Sequence, residues 1–427
     1  MSVLGYLVII FLLLLMVGVP VAVSMAIASI AAIAFGTDLP MVVVGQRMLV
    51  ILDSFPFLAL PFFIAAGVFM DRGGITQRLV DFSAIFVGRI TGGLAQVLIG
   101  TNLVMSGISG AATADCAATG SVLIPAMKRA GYSAAFASAL TAAAATVGPI
   151  IPPSIMFVIY GAITNVSIGA LFLGGVLPGL LMGLYLMIAA YVISKRRGYP
   201  KMVTPPWREA IRITIDALPA LFMPVLVLGG IVGGVFTPTE AGAVAAVFCF
   251  LISTCIYRSL KFSDVPELLL QTGILTAAIM LIVSAASLIG WILARERVPD
   301  LLVVSFMQWT SSPVVFLACI NVFLLLLGFF FEAVSLLILV TPVIMPLVHN
   351  YGIDPVHFGV MMCLNLTIAL IHPPIGMNMF IVCAIGKVSV RDYTREVIPF
   401  LIVLILALIC VTYVPSLVLY LPHLLGG

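Results

Sequence analysis

Residues 146–154 read TVGPIIPPS and residues 367–375 read TIALIHPPI, each inside a long apolar stretch. A Pro-Pro pair has no backbone N–H to contribute. The rest of the chain says what that omission means. Of 427 residues, 63% are hydrophobic and 8% charged, with a mean hydropathy of +1.30. A soluble domain carries roughly 25% charged residues, so this chain is a polytopic membrane protein. Within a bilayer no water replaces a missing donor, yet the chain makes the same omission twice.

Spans of ~20 apolar residues fall near 3–18, 20–36, 54–70, 170–193, 218–236, 240–257, 271–293 and 398–421. The N-terminal segment lacks a basic leader and a clear cleavage site, and is expected to stay as the first span. Four blocks, 93–127, 133–165, 311–348 and 356–386, are too long and too interrupted for simple spans. The intervening stretches 38–53, 72–90, 200–217, 258–270 and 295–310 have the mixed polarity of interfacial helices. Seven cysteines without CxxC spacing and four scattered histidines indicate no disulfide or metal framework, and no HExxH or clustered nucleophile suggests an enzyme. No soluble domain or basic tract points to nucleic acid.

An offset of 221 residues aligns the twin phrases and their surroundings. Pro125 meets Pro346, Gly131 meets Gly352, Thr146 meets Thr367, and Pro152 and Pro153 meet Pro373 and Pro374; Met156 then meets Met377 and Pro178 meets Pro399. The chain is therefore two copies of one plan. Lys and Arg placement sets their orientation. If 93–127 and 311–348 are re-entrant hairpins opening on opposite faces, sixteen of the nineteen Lys and Arg fall on one side. Only Arg47, Arg295 and Arg297 fall on the other. With the N-terminus outside, the basic side is internal and the two halves are inverted, the plan of many secondary transporters.

The prolines should leave carbonyls without helical partners: Ala145, Gly148 and Pro149 in the first half, Ala369 and Leu370 in the second. Carbonyl and hydroxyl oxygens are ligands for an alkali cation, and each new half-helix presents an N-terminal dipole to anions. The hairpin tips are expected in the small-residue run MSGISGAATADCAATG (105–120) and near LLGFFFEAVS (326–335). Asp115 and Glu332 are acids near membrane depth, either functional or helix caps. Asn102, Asn321, Asn365 and Asn378 suit interhelical hydrogen bonds. The four interrupted blocks hold no Lys or Arg, so an anionic cargo there must be met by N–H groups, helix dipoles and bound cations. One charge crossing ~100 mV is worth about 2.3 kcal/mol, enough for two or three inward cations to concentrate an anion.

The segments SGISGAATAD (106–115), TVGPIIPPS (146–154), GVFTPTEAGAVA (234–245) and HPPIGMN (372–378) resemble the large membrane subunit of tripartite ATP-independent periplasmic (TRAP) transporters, and the resemblance runs the length of the chain. It implies an all-α inverted-repeat, elevator-type fold like that of the ion transporter superfamily, with two re-entrant hairpins and two broken helices. The implied division is scaffold at 1–92, 166–310 and 387–427, with the transport domain at 93–165 and 311–386. The implied function is Na⁺-coupled import of a small organic anion, such as a C4-dicarboxylate or sialic acid, across the bacterial inner membrane, with the N-terminus periplasmic. A periplasmic binding protein would deliver the substrate, and a small four-helix membrane subunit, here a separate chain, would brace the scaffold. A stand-alone Na⁺- or H⁺-coupled anion symporter is the alternative.

Carried over by position, one sodium site comprises Ser109, Ala111, Gly148, Ile151 and Pro153. The family commonly has a second serine where this chain has Ala111, which can offer only its main-chain oxygen. The repeat places a second site at Thr367, Ala369, His372 and Pro374, with Glu332 nearby. Ser106, Asp115 and Asn378 fall in the substrate region around the first hairpin tip, with Asp115 matching the family's acidic position.

Overall fold

The computed structural model describes residues 2–203, 205–373 and 376–425, whose regular secondary structure is helical, without a strand among them. The first half opens with an antiparallel pair, α1 (Val3–Met16) and α2 (Val21–Gly36), followed by α3 (Val42–Val50), α4 (Ala59–Arg72) and α5 (Ile75–Val87). The first hairpin is α6 (Gly93–Ser109) and α7 (Ala112–Arg129). A broken helix follows as α8 (Ala134–Ala145) and α9 (Ile155–Thr164), then the long α10 (Ile168–Arg197). The second half runs α11 (Trp207–Val232), α12 (Pro238–Leu251), α13 (Val265–Arg295) and α14 (Val298–Trp309). Its hairpin is α15 (Pro313–Leu327) with α16 (Ala333–Asn350), and its broken helix is α17 (Pro355–Ala369) with α18 (Met377–Gly386). α19 (Val390–Tyr413) and α20 (Ser416–Leu425) end the chain.

The offset of 221 carries directly into structure. Shifted by it, the bounds of α7 become those of α16, and the bounds of α9 fall one residue from those of α18. Local chemistry sets several starts: Ser154 caps α9, Ser167 caps α10, Asp354 caps α17, and Thr237 with Glu240 forms a capping box on α12.

Both hairpins enter and leave at one end. At the first base, Gly93 N donates to Pro200 O (3.0 Å) and Tyr132 stacks on Tyr199 with ring centroids 4.2 Å apart. At the second, the Tyr351 hydroxyl donates to Thr310 O (2.7 Å) and its ring stacks on Phe316. α10 begins among α17 and α20 near the second base, where Gly174 faces Val356, and finishes two residues before Tyr199, beside the first. Its 30 residues span ~45 Å, so the two bases lie at opposite ends. Basic groups gather at the first: Lys128 reaches Gly386 O (3.3 Å) and Arg197 pairs with Glu396 (2.9 Å).

The two halves also interlock. α18 packs on α7 and α8, and reciprocally α9 packs on α16 and α17. An asparagine ladder ties the second half together, with the Asn365 amide donating to Asn321 Oδ1 (2.8 Å) and the Asn321 amide donating to Thr412 (3.0 Å).

Several expectations change. The stretches 200–217 and 218–236 do not divide into an arm and a span: α11 runs through both, carrying Arg208, Arg212 and Asp216 on its leading turns and keeping Pro219 and Pro224 inside. α13 likewise merges 258–270 with 271–293 into one 31-residue helix. The final span stops at Tyr413, and Pro415 precedes the separate α20. Seven helical segments are long and apolar enough to cross a membrane, among the described residues. α1 and α2 are shorter, at 14 and 16 residues. α10 lies on α6, α9, α17 and α19, and α19 lies on α8 and α17, so both helices pack against the hairpins and broken helices.

Candidate substrate and ion site

The first break is tighter than proline arithmetic suggests. Gly148 N donates to Ala145 O (3.1 Å), Ile150 and Ile151 N both donate to Val147 O, and the Ser154 hydroxyl donates to Pro149 O. Short-range turns therefore occupy two of the three carbonyls expected to be open, and only Gly148 O receives no donor among the described residues. The second break is closed further, with His372 N on Ala369 O (3.2 Å) and Asn378 N on Leu370 O (3.0 Å). A carbonyl keeps a second lone pair, so these atoms remain possible ligands without being bare.

The first hairpin tip sits on this break. Gly110 ends α6 with φ +61° and its Cα faces Pro153 O, while Gly107 faces Pro152 O. Asp115, one turn into α7, is wholly buried. Its Oδ1 accepts the Ser109 hydroxyl, whereas Oδ2 has no hydrogen-bond partner and points at Gly148, where an added Cβ would stand 2.6 Å from it. Ala111 N approaches the Ser109 oxygen at 3.4 Å. Ser109, Ala111, Gly148 and Pro153 are thus brought together around Asp115. Ile151 diverges, its side chain filling the groove at Gly179 on α10. Ser106 is buried and donates back to Asn102 O in its own helix.

The second site is looser. Thr367 is buried and donates to Leu364 O (2.8 Å), Ala369 packs against Gly328 at the second tip, and the His372 ring meets Phe329 edge-on at 4.2 Å. Pro374 lies outside the described residues. Asn378 is buried between α7 and α8, its side-chain amide toward Ala142 O, its main-chain carbonyl accepting from the Cys116 thiol and its Oδ1 without a partner. Glu332 caps α16, accepting from Ser335 N (2.9 Å) and the Ser335 hydroxyl (3.2 Å). Glu332→Ala is therefore expected to lower stability by ~1 kcal/mol, while Glu332→Gln, which keeps an acceptor, retains most of it. Thermal unfolding of both variants in detergent checks this.

The two tips and two breaks meet at a cavity of about 830 Å³. The core side contributes residues 109–114, Pro149, Met156, 332–335, Leu370 and Met377; the facing wall comes from the start of α2, the second half of α4 and the first half of α13. Ser109, Ala111 and Glu332 line it, while Asp115 and Gly148 stand behind the tip. At its outer rim lie Asp71, Arg72, Glu267 and Gln271, all exposed. The sequence reading placed Arg72 and Glu267 in interfacial stretches, Gln271 at the start of a span and Asp71 between two segments; the signal available for the three charged ones was their place at the ends of apolar runs.

Residues 8–417 match the family model described as "Tripartite ATP-independent periplasmic transporter, DctM component". The chain belongs to the DctM family. Among curated members it is 41% identical over 414 residues to the sialic acid TRAP transporter large permease protein SiaM of Vibrio cholerae, covering 97% of each chain. It is 38% identical to the C4-dicarboxylate large permease DctM of the same organism, covering 97% of this chain and 96% of that one. The isethionate permease protein DctMQ of Oleidesulfovibrio alaskensis is 39% identical, with 96% of this chain matching 65% of its length. Two solved transporters share the fold at low identity: Neisseria gonorrhoeae MtrF (TM-score 0.61, 12% identity, 96% of this chain and 94% of that one) and Alcanivorax borkumensis YdaH (0.56, 15%, 86% and 88%). Its relatives are permeases, and this DctM-family chain is a multi-pass membrane protein of a TRAP-type organic-anion transport system.

Proposed function

We propose that this DctM-family chain is the Na⁺-coupled permease of a TRAP system that imports a small organic anion into a bacterial cell, working as an elevator. The carrying observation is the convergence of both hairpin tips and both breaks on one cavity. The relatives' substrates are a carboxylate sugar acid, C4-dicarboxylates and a sulfonate, so the cargo is an oxyanion. Placing the basic end in the cytoplasm makes the cavity inward-facing and the N-terminus periplasmic. A periplasmic binding protein delivers the cargo and a small four-helix membrane subunit braces the scaffold. The extra third of DctMQ leaves room for such a subunit in one polypeptide.

For the ion, the support is the Asp115 Oδ2 without a partner, lying against Gly148, whose carbonyl receives no donor among the described residues, with the Ser109 hydroxyl on the other carboxylate oxygen. A buried charge without compensation is costly, and a coordinated Na⁺ supplies the compensation. Uptake of N-acetylneuraminate, succinate and isethionate into proteoliposomes, under Na⁺ or K⁺ gradients and with or without binding protein, tests the scheme. Uptake indifferent to Na⁺ would reject the coupling, and full uptake without binding protein would favour a stand-alone symporter. Ser109→Ala and Thr367→Ala are each expected to raise the Na⁺ concentration for half-activation by about tenfold at near-normal expression. Unchanged activation in both would remove these hydroxyls from the ion sites.

A further inference from the structure

Arg72 closes α4 and is the one Lys or Arg lining the cavity among the described residues. It has no ion pair within 4 Å, unlike Arg78, which pairs with Asp216, and Arg197, which pairs with Glu396. Its helix end is nevertheless pinned. The Ser253 hydroxyl donates to Phe69 O (3.1 Å) and the Ser259 hydroxyl donates to Gly73 O (2.6 Å), tying the backbone on both sides of Arg72 to the end of α12 and the loop after it. Five residues earlier, Gly67 abuts the first tip, where a Cβ would lie 3.6 Å from Ser109 O. At ~1.5 Å per residue, Arg72 stands ~7.5 Å beyond that tip along the helix, toward the rim. From α13, which packs beside α4, Gln271 and Glu267 line the same rim, and Asp71 is the sequence neighbour.

We propose that Arg72, assisted by Gln271, is a second oxyanion-binding station, on the fixed wall of the cavity, which takes the carboxylate or sulfonate of the cargo as it leaves the hairpin tips. This rests on the organic-anion reading of the cavity. The core blocks hold no Lys or Arg, so the anion's first encounter with a permanent side-chain cation comes at this rim. A guanidinium offers several donors suited to an oxyanion. Asp71 and Glu267 share the rim and oppose tight retention, so the station receives the anion and lets it go. Because Arg72 belongs to α4 and not to the hairpins, it acts only when the tips face this rim, and its effect is one-sided.

The test is counterflow in oriented proteoliposomes of the full transporter, with labelled N-acetylneuraminate, succinate or isethionate presented separately to each face. Arg72→Gln is expected to raise the half-saturating concentration on the basic face roughly 5- to 20-fold and to leave the opposite face within about twofold. Arg72→Lys should recover to within about threefold of wild type, the residue of losing the planar fork. Thermal unfolding of Arg72→Gln and Arg72→Met should stay close to wild type, since the side chain is exposed and makes no ion pair within 4 Å. Unchanged half-saturation on the basic face, or an equal rise on both faces, would overturn the station while leaving the transport reading intact. A wild-type protein moving none of the three anions from either face would overturn both.

Discussion

Asp115→Asn is expected to reduce Na⁺-driven uptake about 100-fold while the protein still folds. The carboxylate is wholly buried, one oxygen engaged by the Ser109 hydroxyl and the other without a partner against Gly148. Asn preserves the volume and can still accept from Ser109, so the change isolates the charge. Losing a charged partner in such a place removes about 2–3 kcal/mol of cation binding. The sign of the stability change is the sharper check. Without Na⁺, the wild type holds a wholly buried carboxyl group that the Ser109 hydroxyl alone serves, so the Asn variant should unfold at an equal or higher temperature. Adding Na⁺ should raise the wild-type midpoint through binding linkage and leave the variant unmoved. A variant with normal Na⁺ activation and normal Na⁺-dependent stabilisation would place the cation elsewhere.

Gly110→Ala is expected to abolish transport through backbone geometry alone. Gly110 has φ +61° and faces Pro153 O closely enough that a Cβ would overlap it. The left-handed conformation costs a non-glycine residue ~1–2 kcal/mol, and the overlap cannot be relieved by turning a side chain, because both partners are backbone. The tip must lift from the break, separating Ser109 and Asp115 from Gly148. Gly131→Ala is the control: Gly131 has φ +87° but nothing within 4 Å of an added Cβ. It carries the conformational strain without the collision, so it should lose some stability and keep transport. Equal loss of uptake in both variants would show that strain, not tip closure, is responsible.

Much of the fold was legible because the repeat was. Four prolines repeating at one fixed offset are a coincidence that shared descent explains, so Pro125, Pro152, Pro153 and Pro178 and their partners at 346, 373, 374 and 399 mark register well, and α7 and α16 share bounds at that offset. What was misread follows from physics that a local pattern does not carry. Arg208, Arg212 and Asp216 suggested an interfacial arm, yet a helix crossing the interface keeps its hydrogen bonding while its composition changes, and α11 does so. The missing proline donors were real, but neighbouring N–H groups tightened into short turns and took Ala145 O and Ala369 O. Glu332 and Asp115 looked alike in sequence; the free first-turn donor at Ser335 turned Glu332 into a cap, and burial against Gly148 kept Asp115 apart. Arg72 was invisible as a site residue because the cavity is built from α2, α4 and α13, whose approach no single segment encodes.

The interlocking of the halves bears on how the protein is made. The buried hydroxyl of Tyr160 on α9 donates to Pro355 O (2.8 Å), at the start of a helix 195 residues later in the chain. α9 also packs on α16, which is synthesised long after it. At ~5–20 residues per second the ribosome needs about 10–40 s to supply that acceptor. Through that interval the first repeat sits in the translocon or the bilayer with a polar group waiting for its partner. The nascent half is thus a natural client for insertases and membrane chaperones, and a chain truncated before Pro355 should be an early target of quality control.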